Sequence, residues 1–66
     1  MTNKLRILRA VAEVSQQSLA DQINVSRQTI NAMEKGKYVP STVLALKLAR
    51  FFKVPVEEIF GLEETD

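Results

Sequence analysis

The stretch from Ser15 to Gly36, SQQSLADQINVSRQTINAMEKG, decides the fold of this chain. Its apolar residues recur at helical intervals in two groups separated by a break at Asn24, which predicts two short helices joined by a tight turn. Ser15 and Ser26 precede the two groups, where a hydroxyl can accept from a free backbone N–H, so both are predicted N-caps. Asn24 suits the turn because Asn tolerates the left-handed conformation. The stretch therefore predicts two packed helices over about 16–35.

The second of these helices is predicted to turn a polar surface outward. An α-helix turns by about 100° per residue, which places five of its residues in one outward-facing wedge. Most of these side chains are long and polar, and none is acidic. The members of that wedge are Arg27, Gln28, Asn31, Ala32 and Lys35. Arg, Gln and Asn present paired groups that match base edges in the major groove of DNA, and Ala can contact a thymine methyl. The wedge therefore predicts base reading by its first four members.

The starts of both helices lack acidic residues, although a helix favours them in its first turn. Such uncompensated positive ends are ready sites for phosphate. The candidate phosphate ligands at the two starts are Gln16, Gln17, Ser26 and Thr29, and beyond the second helix they are Lys35, Lys37 and Tyr38. For the tyrosine, packing of the ring over the core is an equally good interpretation.

The stretch resembles the helix-turn-helix of the phage repressor and Cro (XRE-type) family and its small bacterial and archaeal relatives. The resemblance covers nearly the whole chain, and its further motifs are the pair Leu19-Ala20, the run Val25 to Ile30, the ending Glu34-Lys35-Gly36 and the opening Pro40-Ser41. Relatives often carry Gly where this chain has Asn24 and Glu13. The second departure leaves the shape of the loop after the first helix open.

The resemblance also implies roles for particular residues. Gln16 is implied to contact a phosphate and brace Arg27, while Arg27, Gln28 and Ala32 face the bases. An ion pair between Arg9 and Glu34 is implied as well. That pair is physically sensible because Glu34 points toward the core, where a carboxylate needs a partner.

The rest of the chain completes an all-α, five-helix bundle in which residues 1–66 form one helix-turn-helix domain. The first helix is predicted over Asn3 to Ala12, with Leu5, Leu8 and Ala12 on one face. Ser41 caps a fourth helix, and Pro55 opens a short fifth one. The predicted buried residues of the fourth helix are Val43, Leu44, Leu46, Leu48, Ala49, Phe51 and Phe52. Residues 61–66 read as an acidic tail.

Composition excludes several classes of protein. A chain of 66 residues has room for one small core. It contains neither Cys nor His, so disulfides, thiolate or imidazole metal sites and Ser-His nucleophiles are excluded. Glu57 and Glu58, the best carboxylate cluster, are helix neighbours that point in different directions. We therefore expect no enzyme, no metal, no cofactor and no small-molecule ligand.

Charge is distributed unevenly. Residues 1–53 carry nine basic and three acidic side chains, whereas residues 54–66 carry five acidic and no basic ones. A basic body suits double-stranded DNA as the partner, although Lys47 and Lys53 are better read as solvated surface charges. No apolar run approaches the ~20 residues that cross a membrane, and the first residues lack a secretory apolar region. A cytoplasmic location is the expectation.

A few apolar residues remain once the core is assigned. Ile7 and Val11 lie off the face of Leu5 and Leu8, and Leu62 follows the last helix. Two interpretations stand equally: isolated exposed apolar residues, which are normal, or a homodimer surface built from Ile7, Val11, Phe60 and Leu62 with the final residues as a strand.

Together these features predict a homodimeric, sequence-specific transcriptional regulator that reads an inverted-repeat operator through the major groove. Repression rather than activation follows only from the habit of the resembling family. The alternative is a protein-interaction module, such as an antitoxin or coactivator, in which the same fold grips a protein partner.

Overall fold

The computed structural model describes all of residues 1–66 and contains four α-helices, a 3₁₀ turn and two short strands. The helices are α1 (Leu5–Ala12), α2 (Gln16–Ile23), α3 (Arg27–Glu34) and α4 (Thr42–Phe52), and the 3₁₀ turn is Val56–Glu58. The strands β1 (Thr2–Asn3) and β2 (Phe60–Gly61) form an antiparallel pair in which Thr2 faces Gly61 and Asn3 faces Phe60.

Serine hydroxyls fix where three of the helices begin. The side chain of Ser15 accepts from the N–H of Ser18, and that of Ser26 accepts from the N–H of Thr29. Ser41 starts α4 in the same way, with Leu44 as the donor. Each hydroxyl satisfies an N–H that has no partner inside its helix. The three predicted N-caps are therefore confirmed.

Left-handed residues end α1, α2 and α4. They are Glu13, Asn24 and Lys53, with φ angles of 57°, 62° and 58°. Asn24 adopts the conformation predicted for the turn between α2 and α3. Glu13 adopts the left-handed conformation for which relatives often use Gly. The helix end therefore keeps the same backbone form without the Gly, at the energetic cost of a Cβ in a left-handed residue.

The core forms where all four helices and the C-terminal segment meet. Its completely inaccessible large side chains are Leu5, Leu19, Ile30, Met33 and Leu48. Ile59 joins them with 1% of its surface exposed, which draws the end of the chain against the helices. The backbone N–H of Lys4 donates to the carbonyl of Ile59 over 2.8 Å, so both ends of the chain are held together.

The predicted all-α, five-helix fold is wrong at the two ends of the chain. The fifth element is a three-residue 3₁₀ turn, because Ile59 enters the core directly after it and leaves no length for an α-helix. The first helix begins at Leu5 rather than Asn3, because Asn3 lies in β1. Its side chain instead accepts from the N–H of Leu5 and donates to the carbonyl of Met33.

Burial also differs from the expected pattern at several positions. Val43 and Leu46 are 63% and 58% exposed, because they lie on the side of α4 that points away from Leu44 and Leu48. Ala12 is exposed at the end of α1. Phe60, predicted at a dimer surface, is only 9% exposed and belongs to the monomer core.

Candidate nucleic-acid interface

The α2 and α3 helices form a compact unit around a left-handed turn. Beyond Asn24, the N–H of Val25 donates to the carbonyl of Ala20, which closes the end of α2. Leu19, Ala20 and Ile23 from α2 are buried with Ile30 and Met33 from α3. With its inner side fixed in this way, α3 presents its other side to solvent at a defined angle.

The outer side of α3 gathers the polar residues of the predicted wedge. Gln28, Asn31, Ala32, Lys35 and Lys37 together line one shallow concavity of about 230 Å³. Gln28 is exposed and Asn31 half-buried, and neither side-chain amide makes a hydrogen bond inside the protein. Both amides are therefore free to bond to a ligand, as base reading requires.

A second polar concavity lies at the start of α2. Its volume is about 390 Å³, and it has no apolar residue in its lining, which consists of Arg9, Ser15, Gln16, Gln17 and Arg27. No acidic residue stands in the first turn of α2 or α3. The N-terminal end of α2 thus opens into a cationic, hydrogen-bonding recess of the kind that suits a phosphate group.

The other predicted phosphate ligands have mixed surroundings. The hydroxyls of Ser26 and Thr29 lie 2.9 Å apart and bond to each other at the start of α3. Gln17 donates to the Oδ1 of Asp21 within α2. Tyr38 is 43% exposed, so the residue is partly packed and partly accessible.

A chain of side-chain bonds connects α1, α2 and α3. The Nε of Arg9 lies 2.7 Å from the Oε2 of Glu34, and a second guanidinium nitrogen lies 3.3 Å from Oε1. The amide of Gln16 donates to the same Oε1 over 3.2 Å. Through its oxygen, Gln16 accepts from the Nε of Arg27 over 3.4 Å. The structure thus brings together the two residue pairs that the resemblance implied.

One hydrogen bond in this side-chain network was not predicted from the sequence. The bond from Gln16 to Glu34 joins residues 18 apart along the chain, and no local spacing indicates it. Since Arg27 uses its Nε for Gln16, its terminal nitrogens remain available to a ligand. The network therefore orients the Arg27 side chain and leaves its two terminal nitrogens without a partner in the protein.

The Glu34 carboxylate is the most buried charge in the molecule, with 1% of its side chain exposed. Burial by itself raises the pKa of this carboxyl group. The hydrogen bonds from Arg9 and Gln16, together with the charges of Arg9 and Arg6, outweigh burial and hold the pKa below its ordinary value. Glu34 is consequently ionised at neutral pH, and Arg9 is its closest counterion.

The remaining predicted surface residues lie apart from this interface. Ile7, Val11 and Leu62 are 62%, 78% and 84% exposed, as a contact surface requires, whereas Phe60 is only 9% exposed. No group of His, Cys, Asp or Glu side chains is arranged to hold a metal ion. None of the helices is long and apolar enough to span a membrane.

The fold and this polar surface define a helix-turn-helix protein. Residues 5–59 match the family model described as helix-turn-helix, and the chain belongs to that family of DNA-binding transcriptional regulators. It is 52% identical over 66 residues to an uncharacterised HTH-type transcriptional regulator of Methanocaldococcus jannaschii, with 100% of each chain covered. It is 48% identical to the uncharacterised HTH-type transcriptional regulator YgzD of Bacillus subtilis, with 97% of each chain covered.

A solved structure shares the same architecture. It is the restriction-modification controller protein C.AhdI from Aeromonas hydrophila, with a TM-score of 0.76, 34% identity and 85% of each chain covered. This likeness supports the small helical fold seen here.

Proposed function

We propose that this protein is a homodimeric repressor of transcription that binds an inverted-repeat operator with α3 in the major groove. The observation that carries this proposal is the outer side of α3, where unpaired amides and basic side chains line one concavity beside an acid-free pair of helix starts.

Within that surface the residues divide into two groups. Arg27, Gln28, Asn31 and Ala32 read base edges, with Arg27 oriented by Gln16. Phosphates are held around them by Gln16, Gln17, Ser26, Thr29, Lys35, Lys37 and Tyr38. The hydroxyls of Ser26 and Thr29 also cap α3, so their backbone N–H groups contribute as much as their side chains.

The dimer is proposed from the geometry of DNA. A two-fold dimer that reads two successive major grooves holds its α3 helices about 34 Å apart, one turn of DNA. The extents of the chain, 32 × 23 × 21 Å, are of the same order as that spacing. Repression then requires only that the dimer occupy its site in the cytoplasm. The placement of the dimer contact at Ile7, Val11 and Leu62 stays a prediction.

Selection of bound duplexes from a random DNA pool tests this proposal. We expect an enriched inverted repeat whose half-sites are separated by one helical turn. A variant with Gln28, Asn31 and Arg27 all replaced by Ala is the matched control and should enrich no common sequence. If the wild-type chain also enriches none, the proposal of a sequence-specific DNA reader is contradicted, and the alternative of a protein-interaction module is favoured.

A further inference from the structure

The side chain of Asn3 joins the start of α1 to the end of α3. Its Nδ2 donates to the carbonyl of Met33 over 2.7 Å, and its Oδ1 accepts from the N–H of Leu5 over 3.2 Å. Met33 and Leu5 are both completely buried. Because one partner is an acceptor and the other a donor, only this orientation of the amide satisfies both. Both polar groups of the Asn3 side chain are therefore used within the protein.

The bond to Met33 differs from the others that the backbone of α3 makes. The last four carbonyls of an α-helix have no partner inside it. In α3 the carbonyls of Asn31, Ala32 and Met33 accept from the N–H groups of residues 35–37, directly after the helix. Asn3 adds a second and shorter bond to Met33, which a carbonyl with two lone pairs can accept. It is the one hydrogen bond that ties the backbone of α3 to a part of the chain distant in sequence.

A second attachment lies next to the first. Glu34 follows Met33 and bonds through its carboxylate to Arg9 of α1. The start of α3 is joined to another helix by one longer bond, of 3.4 Å, between Arg27 and Gln16. Hydrogen bonds between elements therefore hold α3 chiefly at its C-terminal end.

Asn3 is itself held in place by the C-terminal segment. In the pair of β1 and β2 it faces Phe60, which is only 9% exposed, and the N–H of the next residue, Lys4, donates to the carbonyl of Ile59 over 2.8 Å. Its side chain thus connects a fixed strand to the backbone of α3. Groups that bind a ligand specifically need to be held within about 0.5 Å of the geometry that binds.

We infer that Asn3 is a positioning residue for α3, and that its bond to Met33 contributes to the discrimination between the operator and other DNA. The inference rests on the proposed function, because it concerns how α3 reads bases. Asn3 lines neither of the two polar concavities beside α3. It therefore acts through the position of the helix rather than by contact with DNA.

Asn3→Ser tests the inference without a change of charge. The shorter hydroxyl can still accept from the N–H of Leu5, as in a serine turn, but it cannot reach the carbonyl of Met33. We expect the ratio of the affinities for the selected operator and for random DNA to fall about fivefold, the change that corresponds to one net hydrogen bond. A loss of stability alone would weaken binding to both duplexes by the same factor, since it lowers only the folded fraction.

Asn3→Asp is an independent second variant, because it keeps the acceptor for Leu5 and replaces the donor to Met33 by an oxygen. It should lower the same ratio at least as much. Thr2→Ala is the matched control, since Thr2 lies in the same strand and its hydroxyl donates only to the carbonyl of Gly61, over 3.5 Å. That variant should leave the ratio within about twofold.

Circular dichroism identifies the variants that fold, and the ratio is compared among those. An unchanged ratio in every folded Asn3 variant overturns the inference while leaving the proposed function intact. A wild-type chain that does not discriminate between the two duplexes overturns both.

Discussion

At the scale of single residues, the proposed interface contains two kinds of side chain: those expected to contact DNA and those that position them. Gln28 is exposed and makes no side-chain hydrogen bond within the protein. In Gln16, by contrast, the amide nitrogen donates to Glu34 and the amide oxygen accepts from Arg27. The first arrangement suits a reader of bases, and the second suits a positioning residue. Substitution of a base-contacting residue and substitution of a positioning residue should therefore have different effects on DNA binding.

Gln28→Ala should reduce affinity for the selected operator by about 1 to 3 kcal/mol and relax preference at one base pair of each half-site, because a paired amide contact is lost. Lys37→Ala is the control, since loss of a phosphate contact weakens all duplexes alike. Titrations with operator and random DNA distinguish the two. Equal losses on both duplexes from Gln28→Ala would show that this residue does not read bases.

Glu34→Gln should lower the free energy of unfolding at pH 7 by about 1 to 3 kcal/mol, because Arg9 loses its charged partner and one of the two acceptor oxygens is replaced by an NH2 donor. In the wild-type chain the pKa of Glu34 is lower in the folded state than its ordinary value of 4.5. Its contribution is therefore complete above about pH 4.5 and is lost as pH falls through the lowered folded-state pKa.

Urea denaturation between neutral and acidic pH measures this dependence. The acid-induced loss of stability should be smaller in Glu34→Gln than in wild type. Glu57→Gln, which alters an exposed carboxylate with no hydrogen bond or ion pair in the structure, is the control and should follow the wild-type profile. Parallel profiles for Glu34→Gln and wild type would assign the acid sensitivity to other groups.

At the scale of secondary-structure elements, helix ends rather than helix interiors determine how α1, α2 and α3 connect. Hydroxyl caps start α2 and α3, and left-handed residues end α1 and α2. Asn24 tolerates its conformation well, but Glu13 has a Cβ that is crowded at a φ of 57°. The end of α1 therefore stores strain that the chain does not need for its fold.

Glu13→Gly should raise the free energy of unfolding by about 0.5 to 1 kcal/mol, since the relief of left-handed strain exceeds the added flexibility of the unfolded chain. Thermal unfolding should show this as a rise in Tm of about 3 to 8 °C for a domain of this size. Glu13→Ala keeps the strain while removing the charge, and it should leave Tm nearly unchanged. An equal gain from Ala would attribute the effect to charge.

At the scale of the whole molecule, two acidic side chains bond to residues of the candidate interface: the buried Glu34, and Asp21, which accepts from Gln17. None of the acidic residues from 54 to 66 lines the two polar concavities beside α3. Glu63 and Asp66 instead lie against the amino group of Met1. A net charge of +1 thus conceals a molecule with a cationic side and an acidic end.

Binding to the operator should consequently weaken steeply as salt rises, with log K falling by about 0.9 for each phosphate contact per unit of log salt concentration. Lys37→Ala should reduce the magnitude of this slope by about 1 for each copy bound. Gln28→Ala should leave the slope unchanged while lowering affinity. A flat salt response on every duplex would favour the protein-interaction module over the DNA reader.

Much of the interface was predictable from sequence because its signals are local. A helix of eight residues has one apolar and one polar side, so the spacing of Arg27, Gln28 and Asn31 already places them together. The N-caps and the turn at Asn24 are equally local, and they are confirmed. The pairing of Arg9 with Glu34 came from the family resemblance, and only the structure supplies its geometry.

What the tertiary structure alone decided lies where distant segments meet. A strand of two residues is too short to show the alternation of apolar and polar residues by which strands are recognised in a sequence. The pairing of β1 with β2 depends instead on the entry of Ile59 and Phe60 into the core. Val43 and Leu46 look like core residues in sequence, yet the packing of α4 leaves them exposed. Spacing along one helix identifies its sides but not which neighbour covers each side. The sequence by itself therefore determined the two sides of α3, while the fold decided the pairing of the chain ends and the exposure of Val43 and Leu46.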